Sequence, residues 1–308
     1  MKYTINHVYP FLLKLYGVEP QNITPVGVGE WSQAFFYKLG PHSKVIRFSA
    51  TADDFKRDII ASRFNSPALP VPPLEHFGPA FDGFFAVSPR VEGEMVDRLS
   101  RAQMLNSIAS IIRLFDALRQ ADSSSSKGFG GWDTTGNGTR ASWHDFLLNL
   151  GADSPSSRIS SWRQKLKHKP DALNLINKAT ARVATLVPLC PNIRHLVHND
   201  LLHFNLIINA GAVAGVIDWG CALWGDYLYD LAMFVAWQFY YPALKGIDIK
   251  SKTKVFLARA GADLTNFDKR LECYQIHLLL DSLAFTSFKD HWVDFKLAQS
   301  RLARLLDS

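Results

Sequence analysis

Residues 198–219 constrain the fold of this chain more than any other segment. They include the polar residues Asp200, Asn205 and Asp218, and two short apolar runs separated by the turn residues Asn-Ala-Gly. Apolar runs on both sides of such a turn predict a β-hairpin. Because a hairpin returns Asp218 to the neighbourhood of Asp200 and Asn205, the sequence predicts a cluster of two carboxylates and one amide.

The spacing of these residues is typical of phosphoryl transfer. His198, Asp200 and Asn205 have the H-x-D-x-x-x-x-N spacing of a protein-kinase catalytic loop, and Asp218 follows at the end of an apolar strand. In such sites one acid accepts the proton of the attacking hydroxyl, while the amide and a second acid hold Mg²⁺ on the phosphates. We therefore expect Asp200 to be the catalytic base and Asn205 and Asp218 to bind Mg²⁺. The alternative is that Asn205 only caps a turn.

Length and composition are those of an ordinary enzyme. The chain has 308 residues, of which 47% are hydrophobic, so it can bury a large core. We expect a nucleotide-binding lobe over residues 1–90 and a catalytic and substrate-binding lobe over residues 91–308. The longest apolar runs are too short to cross a membrane, and the first residues lack the apolar region of a signal peptide. Cys190, Cys221 and Cys273 are scattered, which predicts reduced, buried thiols in a cytoplasmic protein.

The net charge of +6 does not by itself indicate a nucleic-acid-binding protein. The basic residues are dispersed, and their densest cluster, residues 163–169, is short. A positive total also gives no general attraction for a cationic substrate, which would need a local acidic pocket. The serine- and glycine-rich stretch 123–138 predicts a mobile loop between two helical segments.

The N-terminal part of the chain supplies a second set of candidate nucleotide contacts. Gly27 and Gly29 precede an alternating aromatic strand, so the backbone at Gly29 and the hydroxyl of Ser32 are expected to meet phosphate oxygens. Glycines between two strands also occur in plain hairpin turns, and this alternative remains open without the downstream motif.

The next strand ends in a cation at the position of the kinase lysine that holds the α- and β-phosphates. This cation is Arg47, whose guanidinium offers a planar fork rather than a point charge. The following helix, near residues 53–64, supplies Asp58 as the first candidate partner and Asp54 as the second. The alternative for such a pair is a surface salt bridge.

A buried strand at residues 84–90 predicts the hinge between the lobes, whose backbone near Val87 and Ser88 is expected to bind adenine. Beyond it, apolar residues recur at helical spacing over residues 104–119, 172–186 and 271–288. Asp226 fits the N-terminus of a further helix, where we expect it to bond the backbone of the catalytic loop.

These motifs and several others resemble the aminoglycoside phosphotransferase family of small-molecule kinases. The resemblance extends over nearly the whole chain. It is carried by Gly29-Glu30 with Ser32, the strand at 45–47, the segment 68–72, the triplet 128–130, Trp143 with Asp145-Phe146, the block 190–200, the segment 216–219 and Gly225-Asp226. The chain departs from the common pattern at Asn199, Arg47 and Asp58, where many relatives have Gly, Lys and Glu.

The resemblance implies an α+β, protein-kinase-like two-lobe fold, with a five-stranded antiparallel N-lobe, a mainly helical C-lobe and ATP between them. It implies an ATP- and Mg²⁺-dependent O-phosphotransferase that inactivates an aminoglycoside or aminocyclitol antibiotic, with hygromycin B as the expected acceptor. It further implies a monomer whose partners are this antibiotic and a nucleotide, without nucleic acid or membrane. The alternative is a kinase of a metabolite alcohol such as choline, homoserine or a sugar. A catalytically inactive nucleotide-binding protein is disfavoured by the intact catalytic set.

A polycationic, sugar-like antibiotic requires carboxylates and flat aromatic surfaces in its pocket. We expect Asp230, Trp237 and Asp281 to contact the acceptor. For any single aromatic residue the alternative is core packing. The wider set of candidates is Trp224, Asp230, Trp237, Tyr240, Tyr241, Asp281 and Trp292.

Overall fold

Strands with alternating buried side chains build the N-terminal lobe. In the computed structural model, which describes residues 3–29, 31–149, 159–202 and 204–307, this lobe holds one five-stranded antiparallel sheet. In the second strand, Gln33, Phe35 and Tyr37 are buried while their neighbours are more exposed, as expected for a half-buried strand. The strands are β1 (Gln21–Val28), β2 (Ser32–Leu39), β3 (His42–Ser49), β4 (His76–Ala80) and β5 (Gly83–Pro89), in the order β1-β2-β3-β5-β4.

Two helices cover this sheet and connect it to the rest of the molecule. Helix α1 (Ile5–Tyr16) packs Val8 and Leu12 into a small core with the sheet residues Phe35, Ile46 and Phe48. Helix α2 (Asp53–Ala61) follows β3 and buries Ile60 and Ala61 in the larger core of the C-terminal lobe. Because α2 contributes to both lobes, it is placed to carry residues that act at the boundary between them.

The C-terminal lobe is built from helices around a single extended core. Helix α8 lies at its centre and packs against α5, α6 and α9. Its buried residues occur on all sides, as is typical of a helix surrounded by other elements. The helices are α3 (Arg101–Gln120), α4 (Trp143–Leu148), α5 (Pro170–Leu186), α6 (Leu228–Trp237), α7 (Ile249–Arg259), α8 (Phe267–Phe288) and α9 (Trp292–Leu306).

Two small sheets pack against α3 and α4 of the C-terminal lobe. One has the order β11-β10-β6 and the other the order β8-β7-β12-β9. Strands β10 and β11 form the hairpin predicted from the sequence, with Leu206 opposite Val216. The strands are β6 (Glu94–Met95), β7 (Phe129–Trp132), β8 (Gly138–Arg140), β9 (His195–Val197), β10 (Leu206–Asn209), β11 (Ala212–Val216) and β12 (Leu223–Gly225).

The α+β, two-lobe fold is confirmed, but one detail of the prediction is wrong. The stretch 128–138 is not a free loop: it forms the β7–β8 pair, and β7 also pairs with β12. A side chain at Gly128 would collide with the backbone of Gly138, so glycine permits this close pairing. Strand β5 ends at Pro89, next to the lobe boundary predicted at residue 90. None of the described helices combines the length and apolar character needed to cross a membrane.

Candidate active site

The catalytic loop lies between β9 and β10 and fixes Asp200 beside Asn205. The amide Nδ2 of Asn205 donates to the backbone carbonyl of Asp200 and to its carboxylate Oδ2, both at 2.9 Å. Asn199 and Phe204 have positive φ angles of 66° and 65°, which are uncommon for residues other than glycine. The loop therefore follows a strained path that turns two polar side chains toward each other.

His198 supports this loop from below as a neutral imidazole. Its Nε2 lies 2.9 Å from the carbonyl of Ile217, and its Nδ1 lies 3.2 Å from the backbone nitrogen of Asp200. A carbonyl only accepts and a backbone N–H only donates, so Nε2 carries the proton and Nδ1 accepts. Burial lowers the pKa of His198 to about 4, which agrees with this tautomer. The ring thus connects the loop to the end of the β10–β11 hairpin.

Asp230 holds the loop backbone, and two sequence predictions are corrected by this finding. Its two carboxylate oxygens accept from the backbone N–H groups of His198 and Asn199, each at 2.8 Å. Asp230 has no exposed surface, so it cannot contact the acceptor as predicted. The prediction that Asp226 bonds the catalytic loop is also wrong, because that role belongs to Asp230.

Asp226 instead belongs to a buried network that holds helices α6 and α8 together. Its carboxylate accepts two bonds from Arg270 at 2.8 Å and one from the hydroxyl of Tyr274 at 2.7 Å. It also accepts from the backbone of Leu228 at 3.1 Å, at the start of α6. This buried charge is fully paired, so its role is structural.

Asp218 follows β11 and lies across from Asp200. The backbone N–H of Ile217 donates to the carbonyl of Asn205 at 3.0 Å, which places the hairpin end next to the loop. Burial raises the pKa of Asp200 well above its usual range, and the charge of Asp218 adds to this effect. Reduced solvation also raises the pKa of Asp218, with Asp58 adding to it and Arg47 opposing it. The site therefore concentrates negative charge, which a cation would stabilise.

The donor set of this cluster fits Mg²⁺. Asn205 uses its Nδ2 toward Asp200, which leaves its carbonyl oxygen for a metal, and the carboxylate of Asp218 is exposed. Mg²⁺ prefers oxygen ligands and is commonly held by one or two protein groups together with substrate phosphates. Within residues 3–29, 31–149, 159–202 and 204–307, no three His, Cys, Asp or Glu side chains form a metal-ligand set. Asp218 and Asn205 would therefore hold the ion jointly with a nucleotide.

Arg47 and Asp58 form the predicted ion pair, and Asp58 extends it to the other lobe. A guanidinium nitrogen of Arg47 bonds Oδ2 of Asp58, while Oδ1 of Asp58 accepts from the backbone N–H of Trp219 at 2.9 Å. Burial would lower the pKa of Arg47, but Asp58 and Asp218 outweigh it and raise the pKa. The pairing is confirmed, whereas the contact of Arg47 with phosphate stays a prediction.

The β1–β2 turn, predicted to contact phosphate, lies against the end of helix α8. The N–H of Gly29 donates to the carbonyl of Ser32 at 2.9 Å, which closes the turn. Trp31 lies in the turn, and the ammonium of Lys289 lies 4.5 Å from the centre of its ring. Because Lys289 follows α8, this contact joins the two lobes. Glu30 and His203 lie outside the described residues, and phosphate contacts of Gly29 and Ser32 stay a prediction.

Adenine binding at Val87 and Ser88 stays a prediction, although both residues already take part in the sheet. The carbonyl of Val87 already accepts from the N–H of Glu75 at 2.8 Å. Ser88 pairs with Val45, and backbone groups in an antiparallel sheet alternate between the two sides of a strand. The backbone N–H and carbonyl of Ser88 therefore face β3. The carbonyl of Pro89 faces the opposite side, where no residue of β4 pairs with it.

The predicted acceptor contacts differ in their accessibility. Asp281 on α8 is exposed, although the surrounding protein reduces its solvation and raises its pKa to about 6. Trp237 is 9% exposed at the end of α6, and its ring stacks on Phe239. Trp224 is buried and donates to the carbonyl of Gly136 at 2.7 Å, so this candidate belongs to the core. Acceptor binding by Trp237 and Asp281 stays a prediction.

Two features of the site were missed by sequence reasoning. Arg57 on α2 donates to the carbonyls of Trp132 and Gly220 at 3.0 and 3.1 Å and binds Asp54, which ties α2 to the C-terminal lobe. Cys221, expected to be buried, is exposed. The surrounding protein nevertheless reduces the solvation of its thiol and raises the pKa of Cys221, and the carboxylates around it, those of Asp200, Asp218, Asp281 and Asp54, raise this pKa further. No local pattern in the sequence predicts the hydrogen bonds of Arg57 or the exposure of Cys221.

Comparison with known proteins agrees with this geometry. Residues 23–248 match the sequence profile of the phosphotransferase enzyme family. Hygromycin-B 4-O-kinase of Escherichia coli is 26% identical over 307 residues, which are 99% of this chain and 86% of that protein. The crystal structure of aminoglycoside phosphotransferase APH(4)-Ia has a TM-score of 0.86 at 26% identity and covers 99% of both chains.

Complexes of similar proteins are also known. A thermostable mutant of APH(4)-Ia in ternary complex with AMP-PNP and hygromycin B has a TM-score of 0.84 at 26% identity, covering 97% of this chain and 98% of that one. Spectinomycin phosphotransferase in complex with ADP and spectinomycin has a TM-score of 0.64 at 10% identity, covering 100% of this chain and 99% of that one. The second likeness shows the fold alone.

Proposed function

The chain belongs to the phosphotransferase enzyme family, and from this premise we propose that it transfers the γ-phosphoryl group of ATP to a hydroxyl group of hygromycin B. The observation that carries the proposal is the convergence of Asp200, Asn205 and Asp218 in one cleft. The substrate is chosen because the similarity to hygromycin-B 4-O-kinase spans 99% of this chain. The proposed product is a phosphorylated, inactive antibiotic.

Asp200 is the proposed base. Its carboxylate is oriented by the amide of Asn205 and has a raised pKa, so it is able to accept a proton that a normal aspartate would hold poorly. The acceptor oxygen forms a bond to the γ-phosphorus, the bond from this phosphorus to the bridging oxygen breaks, and ADP leaves with that electron pair. Asp200 keeps the proton of the acceptor hydroxyl until it passes to solvent.

The donor contacts come from both lobes. Arg47 is the proposed anchor for the α- and β-phosphates, with Asp58 fixing its guanidinium. Gly29 and Ser32 are proposed to contact the same phosphates. When bound to Asp218 and Asn205, Mg²⁺ neutralises negative charge on the phosphates. We propose that adenine is bound by the carbonyl of Pro89, which faces away from β3, rather than by Val87 and Ser88.

The acceptor contacts are proposed for the exposed Asp281 and for Trp237, which keeps a small exposed surface. Asp281 offers a carboxylate to the ammonium groups of the antibiotic, and Trp237 offers an aromatic face to its rings. The exposed carboxylate of Asp218 and the half-buried one of Asp200 give the cleft a negative field although the whole chain is basic. We also propose that the chain acts as a monomer in the cytoplasm, since the catalytic residues named here all come from one chain and its cysteines are free thiols.

The test is an ATP-consumption assay with purified protein, Mg²⁺ and a panel of acceptors: hygromycin B, kanamycin, spectinomycin, streptomycin, choline and homoserine. We expect turnover with hygromycin B well above the rate without acceptor, and a mass increase of the antibiotic by one phosphate group. Turnover confined to choline or homoserine would keep the phosphotransfer mechanism and reject the antibiotic as substrate. Consumption of ATP at the same rate with every acceptor would reject both.

A further inference from the structure

A groove of about 370 Å³ lies between helices α3 and α7, formed by residues that do not belong to the site described above. Its floor consists of Ile108 and Ile112 from α3 and Phe256 from α7. Leu105 and Val255 stand on its two walls, and each is 52% exposed. Two large aliphatic side chains therefore share one groove and remain half in water, which leaves an apolar surface open to another molecule.

Three cations surround this apolar floor. Arg113, Lys252 and Arg259 line the groove, and none of them forms an ion pair with any residue in the described part of the chain. The neighbouring Lys250 and Lys254 differ, because both pair with Asp268 at 2.7 and 2.9 Å. The unpaired charge of α7 is thus concentrated on the side of the helix that borders the groove.

The shape of the groove favours a helix as its occupant. Leu105, Ala109 and Arg113 follow one another at helical spacing on α3, as do Lys252, Val255 and Arg259 on α7. The stretch from Leu105 to Arg113 spans about 12 Å, or roughly two turns. An amphipathic helix in this groove would place apolar side chains on the floor and polar ones along the edges.

We propose that this groove binds an acidic amphipathic helix of another protein, with apolar anchors between Leu105 and Val255 and carboxylates facing Arg113, Lys252 and Arg259. The charges exclude a second copy of this chain in a symmetric contact, because each copy would bring the same three cations to the interface. A small amphiphilic anion is disfavoured, because the open groove leaves most of its apolar part in water.

The test measures the fluorescence anisotropy of a labelled helical peptide of about 14 residues with the full-length chain. The peptide carries leucines three and four positions apart, with glutamates on both sides of the leucine stripe. A second peptide has lysine at every glutamate position. The chain variants are R113E/K252E/R259E, which reverses the three cations, and L105Q/V255Q, which makes both walls polar.

A matched control separates the groove from the overall charge. The variant K14E/K178E/K296E makes the same change in net charge at three exposed lysines on other helices, α1, α5 and α9. Kinase turnover of every variant is measured in parallel, and it should equal that of the unmodified chain because no groove residue belongs to the catalytic machinery. Unchanged turnover also shows that the variants are folded.

We expect the acidic peptide to bind the unmodified chain and the control variant alike, and to lose at least about tenfold in affinity with each of the two groove variants. The lysine peptide should not bind. Equal loss with the control variant, or full binding to either groove variant, would overturn the proposal. The proposal would also be overturned if the acidic peptide failed to bind while laurate, a small amphiphilic anion, or vesicles of anionic lipid bound the unmodified chain.

Discussion

Asp200 combines a raised pKa with a fixed orientation, and both properties come from its neighbours. Asn205 fixes the carboxylate through Nδ2, and the backbone N–H of Asp200 itself is bound by His198. Burial and the nearby Asp218 raise its pKa. These contacts all come from the chain itself, so the base is preorganised.

Replacing Asp200 by alanine tests its role. The variant Asp200→Ala should lower kcat by about 10²- to 10⁴-fold, since general base catalysis supplies gains of this size. The dissociation constant of Mg·ATP should remain within about twofold, because the proposed metal ligands are Asn205 and Asp218. Steady-state turnover and calorimetric titration with the nucleotide check the two statements. Turnover near that of the unmodified chain would remove Asp200 from the mechanism.

Asp281 predicts a pH dependence of acceptor binding. Reduced solvation raises its pKa to about 6, so the side chain is neutral below this pH and anionic above it. Only the anionic form attracts an ammonium group. The dissociation constant of hygromycin B should therefore rise about fivefold as the pH falls from about 7.5 to 5, which corresponds to one exposed ion pair of ~1 kcal/mol.

The variant Asp281→Asn provides the control for this pH dependence. It should bind the antibiotic at pH 7.5 about as weakly as the unmodified chain binds it at pH 5, and the change between the two pH values should be smaller. Calorimetry in the presence of a non-hydrolysable ATP analogue measures binding without turnover. An unchanged pH profile in this variant would show that another group titrates.

At the scale of elements, the catalytic loop depends on a helix that follows it in the sequence. The loop backbone at His198 and Asn199 donates to the carboxylate of Asp230, which lies in the first turn of α6. Buried N–H groups must find acceptors, and this loop has an irregular path that forms no ladder of its own. Asp230 therefore replaces the missing backbone partners.

The variant Asp230→Ala should destabilise the protein and reduce its activity together. It leaves two buried N–H groups without an acceptor, at about 1–3 kcal/mol each, so the free energy of unfolding should fall by about 2–6 kcal/mol. Turnover should fall at least about tenfold, because Asp200 is placed by the same loop. Chemical denaturation and steady-state kinetics measure both effects.

Two further variants calibrate this experiment. Asp230→Asn keeps one carbonyl oxygen and should lie between the alanine variant and the unmodified chain. Asp122→Ala removes an exposed carboxylate that accepts from Ser124 in its own loop, and should leave the free energy of unfolding nearly unchanged. If Asp230→Ala behaved like Asp122→Ala, the loop would not depend on α6.

At the scale of the whole molecule, the two lobes are joined across the cleft by α2. Arg57 bonds the carbonyls of Trp132 and Gly220, and Asp58 bonds the backbone of Trp219. Because Asp58 also binds Arg47, the same helix sets the proposed phosphate anchor and the distance between the lobes. The relative position of the lobes is therefore coupled to the site.

The variant Arg57→Met should weaken this coupling while keeping the apolar stem of the side chain. We expect kcat/KM for ATP to fall about three- to thirtyfold, as loss of two hydrogen bonds of roughly 1 kcal/mol each implies. Amide exchange in α2 should become faster. Arg63→Met, an exposed arginine just after α2, is the matched control and should change neither quantity. Equal effects in both variants would contradict the role of Arg57.

The sequence by itself determined the features that depend on neighbouring residues along the chain. The hairpin of β10 and β11 follows from two apolar runs and a turn, and the short spacing between Asp200 and Asn205 allows only a small set of loop geometries. The pairing of Arg47 with Asp58 was also predictable, since a strand and the helix after it lie next to each other. Such contacts span few residues, so local chemistry limits the alternatives.

Only the tertiary structure decided which of several equivalent residues reaches a distant partner. Asp226 and Asp230 lie four positions apart at the start of the same helix, and packing against α8 gave one of them to Arg270 and left the other to the catalytic loop. Pairing with β4 likewise decided that Val87 is engaged in the sheet, and the surroundings of Cys221 left it exposed. These outcomes depend on contacts between residues far apart in the chain, which no local pattern encodes.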